Sequence, residues 1–376
     1  MPVIPFIKHG VKYLLSYLSF IKNCAVWSKN LQGQPFDKKN KKVFYGHLHI
    51  PGVNDPASGG IVKFQRLQEV LPNSPYSFNI LYLPSSSLPK EWRQLLWLAR
   101  RKEAKLVINQ NGVWHPKHGA GWEISNLPIK RLVHEADYVF YQSRFCQESV
   151  DRFLGKRKGP HEILYNCVDV DFFSPGKFAA DPKEIILLLG GNHCEQYRVE
   201  TALMTLALVA KEMSNIHLHI AGDFVWMKNK DKARQKVCNL IHSLGVSGKV
   251  KLLGPYCQAD APQIFRSAHL LLHTQHNDAS PGLVVEAMSS GLPVVYPHSG
   301  GVPELVGDDA GIGVPIETSW TREIRPDPKD LAQAILEVID NRKTYSSAAR
   351  QRAVDNFDLN PWIRRHQEIF DFLLQN

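Results

Sequence analysis

Residues 278–304 read DASPGLVVEAMSSGLPVVYPHSGGVPE, and this stretch decides the fold. Ser280-Pro281-Gly282 resists a helix, residues 283–289 fit one, and Gly291-Leu292-Pro293 ends it. Val294-Val295-Tyr296 has the apolar character of a short buried strand, and Ser299-Gly300-Gly301-Val302-Pro303 turns the chain again. The order loop, helix, strand, loop puts Asp278 and Glu286 on either side of one helix N-terminus, with Glu304 after the glycine pair. A helix N-terminus favours an anion through its free N–H groups and its dipole. A nearby carboxylate can accept both hydroxyls of a ribose. Together these describe a pocket for a nucleotide-activated sugar.

Asp278-x7-Glu286, followed by EAMSSGLPVV and SGGVPELVG, resembles the donor-site signature of GT-B glycosyltransferases, and most closely the retaining family 4. That family usually carries Glu at both ends of the spacing; here the first is Asp278, one methylene shorter. The resemblance covers about residues 43–376. It implies an α/β chain of two Rossmann-like, doubly wound domains facing a cleft, preceded by a basic amphipathic extension. The expected divisions are a leader at 1–42, an acceptor domain at 43–170, a nucleotide-sugar domain at 171–358 and a C-terminal helix at 359–376 that crosses back to the first domain.

Length and composition agree with two domains: 376 residues supply ample core. The six cysteines show no CxxC and no clustered His/Cys spacing, which argues for a reducing compartment and against structural zinc. No run of eighteen apolar residues is present to span a membrane. The net charge is +9, but residues 1–42 hold eight lysines against one aspartate. The body is therefore nearly neutral, which speaks against nucleic-acid binding. In the leader, Phe6, Ile7, Val11, Leu14, Leu15, Leu18 and Ile21 recur at helical spacing beside Lys8, Lys12 and Lys22. Lys38, Lys39, Lys41 and Lys42 follow. This pattern fits an interfacial helix with a polybasic tail on an anionic membrane surface, or a helix packed on the protein's own body.

Along the body, Ser58-Gly59-Gly60 opens a helix whose face is Ile61, Phe64, Leu67 and Leu71. Gly59 and Gly60 let backbone approach a ligand closely; in the family this loop meets the donor's phosphates or the acceptor. The strand at 105–109 ends in Gln110-Asn111-Gly112. The resemblance implies a histidine there, and Asn111 stands in its place. The polar loop WHPKHGAGWE follows, where His115 or His118 either replaces the missing imidazole or is an ordinary loop histidine. Trp114 and Trp122 offer faces for sugar stacking, and Glu123 is an acceptor-side candidate. Residues 166–175, NCVDVDFFSP, are similar to the family's interdomain connector. In the second domain the strand at 185–189 ends in Gly190-Gly191-Asn192-His193. The resemblance implies an Arg and a Lys near here on the donor diphosphate; Gly191 occupies the Arg place, and Arg198 is the one cation in the stretch.

The expectation is a retaining glycosyltransferase moving a sugar from a nucleotide sugar to a glycan or lipid-linked acceptor. Its expected setting is the cytoplasm, peripheral at the inner face of the membrane, in cell-envelope polysaccharide synthesis. Glu286 would hold the ribose. Asp278, Asn111 and His115 would serve the transferring sugar. Gly59, Gly60, Gly190, Gly191, Arg198, Pro281, Gly282 and Leu283 would line the donor site. No cofactor and no obligatory metal are expected, since Asp169-Val170-Asp171 belongs to the connector. The alternatives are a non-catalytic or partner-dependent homologue and a nucleotide-sugar epimerase on the same fold.

Overall fold

The computed structural model describes residues 40–55, 59–176 and 183–376, so most of the leader read at 1–42 lies outside the described residues. The first domain runs β1 (Val43–Phe44), α1 (Gly59–Val70), β2 (Ile80–Pro84), α2 (Trp92–Arg101), β3 (Lys105–Gln110), α3 (Trp122–Glu135), β4 (Tyr138–Tyr141), α4 (Arg144–Phe153) and β5 (His161–Ile163). The five strands are parallel and ordered β1-β2-β3-β4-β5. An isolated parallel bridge from Val43 to Asn73 brings the chain after α1 to the far side of β1. The direction of winding thus reverses at β1. Strands β2 and β4 are buried along their whole length, as a parallel sheet covered on both faces requires. Leu95, Leu98, Ile129, Leu132 and Val150 of α2, α3 and α4 cover one face. Phe64 and Leu67 of α1 cover the other, together with the last helix of the chain.

The second domain runs β6 (Ile185–Leu189), α5 (Gln196–Glu212), β7 (Ile216–Ala221), α6 (Lys230–Ser243), β8 (Val250–Gly254), α7 (Ala261–Arg266), β9 (Leu270–Leu272), α8 (Gly282–Ser289), β10 (Val294–Pro297), α9 (Val302–Val306) and β11 (Gly311–Val314). Three helices follow: α10 (Pro328–Asp340), α11 (Arg342–Phe357) and α12 (Leu359–Gln375). Its six parallel strands are ordered β11-β10-β9-β6-β7-β8, so the winding reverses between β6 and β9. At such a reversal the loops leaving two neighbouring strands diverge and open a crevice. Gly190 follows β6 and Asp278 follows β9, so the reversal lies at the stretch singled out by sequence.

The domains are joined by a double crossing. The Val168 N–H donates to Phe357 O at 2.8 Å, and the Leu359 N–H donates to Val168 O at 3.0 Å. Helix α12 then lays Trp362, Ile369, Phe370 and Leu373 against Tyr45, Phe64 and Tyr82 of the first sheet. His366 is fully buried there, 2.8 Å from the Tyr82 hydroxyl and 2.8 Å from Trp362 O. Lys41, read with the basic tail, is paired instead with Asp371 of α12 at 2.7 Å. On the other side Trp320 of the second domain stacks on Phe145 at 4.7 Å and 10°. Among the described residues no helix is long and apolar enough to cross a membrane.

The interdomain cleft as candidate active site

The loop between β9 and α8 is held from three sides. Behind it, the Gly301 N–H donates to Asp278 O at 2.8 Å, and the Asn277 N–H donates to Ser299 Oγ at 3.0 Å. Gly300 has φ +70°, which suits glycine, and a side chain on Gly300 or Gly301 would run into the backbone of residues 277–279. The glycine pair is therefore required by close approach. From the first domain, Ser143 Oγ donates to Ala279 O at 2.7 Å and Ser280 Oγ donates to Gln142 O at 3.1 Å. From the connector, Asn166 Nδ2 donates to Ser280 O at 2.9 Å. Glu304 belongs to the same interface: its carboxylate accepts the N–H groups of Arg144 and Phe145 at 2.8 and 2.9 Å, capping α4 across the domain boundary.

The two carboxylates differ in environment. Asp278 Oδ2 lies 3.4 Å from Nε2 of His273. Burial pushes its pKa up, but His273, Arg198 and Lys117 outweigh that and hold it below the ordinary value. Glu286 sits one helical turn after Gly282 on α8 and accepts from Gln258 Nε2 at 2.8 Å. Burial raises its pKa above the usual value, only partly opposed by Gln258 and Arg66. Asp278 is thus a fixed anion, and Glu286 is a carboxylate whose charge would gain from added hydroxyl donors.

Both face a cleft of about 600 Å³ between the two sheets. Of the site residues expected from sequence, Gly59, Gly60, Asn111, Gly191, Asp278, Pro281, Gly282, Leu283 and Glu286 line it. Gly190, Arg198 and His115 do not. Gly190 lies against Leu283, whose methyl would be 2.9 Å from an added Cβ. Arg198, expected on the donor diphosphate, does not reach the cleft surface. It is buried, with Nη1 donating to Asn192 O at 3.1 Å and Nη2 directed at Gly190 O at 3.4 Å, so it braces the β6–α5 loop from behind. His115 is also displaced from its expected role. It is buried beside Trp320 and Phe153, its Nδ1 is 2.8 Å from Trp320 O, and burial pushes its pKa down to about 4. Trp122 packs edge-on against Phe153 and Glu123 opens α3, neither lining the cleft. The segment read as one polar loop ends earlier than expected, because α3 begins at Trp122 despite Pro128 inside it.

Among the lining residues that sequence reasoning missed are Lys63 and Arg66 on α1, Asn166 in the connector and Gln258 after β8. Lys63 is the notable one, a buried ammonium bonded to Asn109 Oδ1 at 2.7 Å and Asn166 Oδ1 at 2.8 Å. Its spacing from Phe64 and Leu67 reads as the flank of an amphipathic helix, so no local signal separates it from a solvated lysine. Among the described residues, no group of three His, Cys, Asp or Glu side chains is arranged to hold a metal ion. The Asp169 carboxylate instead accepts the Asp171 and Phe172 N–H groups at 3.2 and 3.0 Å within the connector turn.

Residues 171–353 match the family described as glycosyl transferases group 1. A D-inositol 3-phosphate glycosyltransferase of Mycobacterium sp. (strain KMS) is 25% identical over 186 residues, covering 48% of this chain and 41% of that protein. The phosphatidylinositol N-acetylglucosaminyltransferase gpi3 subunit of Schizosaccharomyces pombe is 21% identical over 255 residues, covering 67% of this chain and 52% of that protein. The chain thus spans about half or less of the length of these curated relatives. Among solved structures, sucrose-phosphate synthase (tll1590) from Thermosynechococcus elongatus superposes with a TM-score of 0.64 at 15% identity, covering 80% of this chain and 75% of that one. Anabaena Alr3699/HepE, solved with UDP and glucose, superposes with a TM-score of 0.63 at 19% identity, covering 84% of each chain.

Proposed function

We propose, from the membership of residues 171–353 in the glycosyl transferases group 1 family and from the GT-B fold, that this chain transfers a sugar with retention from a nucleotide-activated donor. The observation that carries the reading is the placement of Asp278 and Glu286 around the α8 N-terminus, at the point where the second sheet reverses its winding. Glu286 takes the ribose hydroxyls, whose donated hydrogen bonds lower the cost of its buried charge. The N–H groups at Gly282 and Leu283 face the diphosphate, and Asp278 faces the transferring sugar. Charge growing on the leaving diphosphate is met by fixed dipoles in a partly water-excluded cleft. That diphosphate, on the same face as the acceptor hydroxyl, takes its proton, and no protein nucleophile is used. The proposal includes no metal step.

The UDP-glucose complex of Alr3699/HepE supports the donor class. The names of the curated relatives, which act on an inositol phosphate and a phosphatidylinositol, support a polyol or lipid-linked acceptor over a free glycan. Peripheral attachment at a cytoplasmic membrane face rests on the leader's sequence. A second reading, a partner-dependent or non-catalytic homologue, is favoured by Asn111, which lines the cleft where an imidazole was expected and carries no titratable proton at neutral pH. The test is a melting-temperature screen of nucleotide sugars, followed by assay of the stabilising donor for transfer and hydrolysis. Stabilisation with turnover supports transfer; stabilisation without turnover supports the second reading; no stabilisation removes both.

A further inference from the structure

We propose that Lys63, from the first domain, supplies the cation for the donor's diphosphate that the second domain lacks at Gly191. This rests on the nucleotide-sugar reading of the cleft and names a residue for it that lies outside residues 171–353.

An ammonium has three N–H donors. Two are taken by neutral amide oxygens, Asn109 Oδ1 and Asn166 Oδ1, and Lys63 makes no ion pair with a carboxylate among the described residues. A buried cation that meets only neutral acceptors is costly, and an anionic ligand relieves that cost. The position is the right one. Asn166, which accepts from Lys63, donates in turn to Ser280 O at 2.9 Å, two residues before α8 begins at Gly282. Lys63 and the α8 N-terminus therefore share one cleft wall, linked by a single amide side chain. Gln142 fixes that amide, accepting from Asn166 at 3.0 Å and donating to Asn109 Oδ1 at 2.6 Å. The ammonium is thus held in place before any ligand arrives. Arg66, one turn along α1, also lines the cleft and acts on Glu286.

The charge of Lys63 is also the group that titrates here near neutral pH. Burial lowers its pKa to about 8. Its titratable neighbours come from α4, the connector, β2 and α12. Burial raises the Cys146 and Cys167 thiols to about 12, raises the Tyr82 phenol well above its usual value, and lowers His366 to about 3. All four are therefore neutral between pH 6 and 9. A diphosphate is fully ionised above about pH 7. Its affinity should therefore fall as pH rises through the lysine's transition, because the neutral amine cannot pair with it.

The test uses calorimetry on the full chain, with whichever of UDP, GDP or ADP binds best, and with its parent nucleoside. Lys63→Met should weaken the diphosphate roughly ten- to a hundred-fold, the range of one charge-assisted contact, and the nucleoside less than about threefold. Lys63→Arg keeps the charge and should flatten the fall in affinity between pH 7 and 9 seen for the native chain. If Lys63→Met folds poorly, the native profile against Lys63→Arg decides. Diphosphate affinity that is equal in Lys63→Met, or a native profile as flat as that of Lys63→Arg, overturns the inference and leaves the donor reading standing. A native chain that binds none of the three diphosphates overturns the donor reading itself.

Discussion

Gly301→Ala should loosen the acidic loop without touching a ligand. The backbone at Gly301, φ −91° and ψ −2°, is open to alanine, so the effect is steric alone. The added methyl would lie 2.9 Å from Ser143 Oγ, 3.0 Å from the Ala279 carbonyl carbon and nearer still to that carbonyl oxygen. Ordinary carbon contacts begin near ~3.5 Å, so the loop must retreat by about 1 Å. Retreat breaks the Gly301 N–H to Asp278 O and Ser143 Oγ to Ala279 O bonds, each contributing about 1 kcal/mol. With overpacking of ~1–3 kcal/mol the sum is roughly 3–5 kcal/mol. For a domain of this size that lowers Tm by roughly 6–20 °C in calorimetry. A misplacement of ~1 Å at the site also reduces turnover by about a hundredfold. Gly248→Ala, where an added methyl meets nothing, is the control and should leave both unchanged. A Gly301→Ala protein with native Tm and native turnover would refute the claim that close approach explains the glycine pair.

Trp320→Ala removes the aromatic wedge stacked on Phe145 and should cost about 3–5 kcal/mol in thermal or denaturant unfolding, with a larger radius of gyration in solution scattering as the domains part. An unchanged radius would show that the double crossing and Glu304 hold the domains closed alone. His366, pushed down to about 3 by burial, is neutral when folded and protonated below about 6.5 when unfolded. Its stabilising contribution is therefore full above pH 6.5 and lost as pH falls towards 3, at up to about 1.4 kcal/mol per pH unit. His366→Gln should flatten the stability–pH curve between pH 6.5 and 4, and an unaltered slope would assign it to other groups. Removing residues 1–39 should abolish sedimentation with anionic vesicles while nucleotide binding persists. Sedimentation that survives the deletion would place the membrane contact on the body.

The parallel strands were legible because full burial on both faces leaves continuous apolar runs, such as 185–189, bounded by glycine. The α8 segment was legible because Ser-Pro-Gly and Gly-Leu-Pro stop a helix at both ends. The doubly wound plan came with the resemblance, but the bridge from Val43 to Asn73 that reverses the winding at β1 was not legible, since no pattern marks it. Arg198 was assigned to the diphosphate because its burial behind the loop comes from the fold of residues 190–192 around it, which no local pattern marks. His115 was placed near the sugar because only tertiary packing brings Trp320 over it, some two hundred residues along the chain. Lys63 escaped for the same reason: amides from β3 and the connector surround it, and neither is near it in sequence.

The account turns on Glu286 as the ribose acceptor. Glu286→Gln keeps the size and the Gln258 neighbour but removes the charge, so a charged hydrogen bond of roughly 1.5–3 kcal/mol is lost. Calorimetry with the best-bound nucleoside diphosphate should show affinity lower by about one to two decades at unchanged Tm. A 2′,3′-dideoxyribose analogue, which offers neither hydroxyl, should be bound almost equally by the native and Glu286→Gln proteins. Native affinity for the ribose diphosphate in Glu286→Gln, with the fold intact, would take the nucleotide out of this cleft and contradict the account.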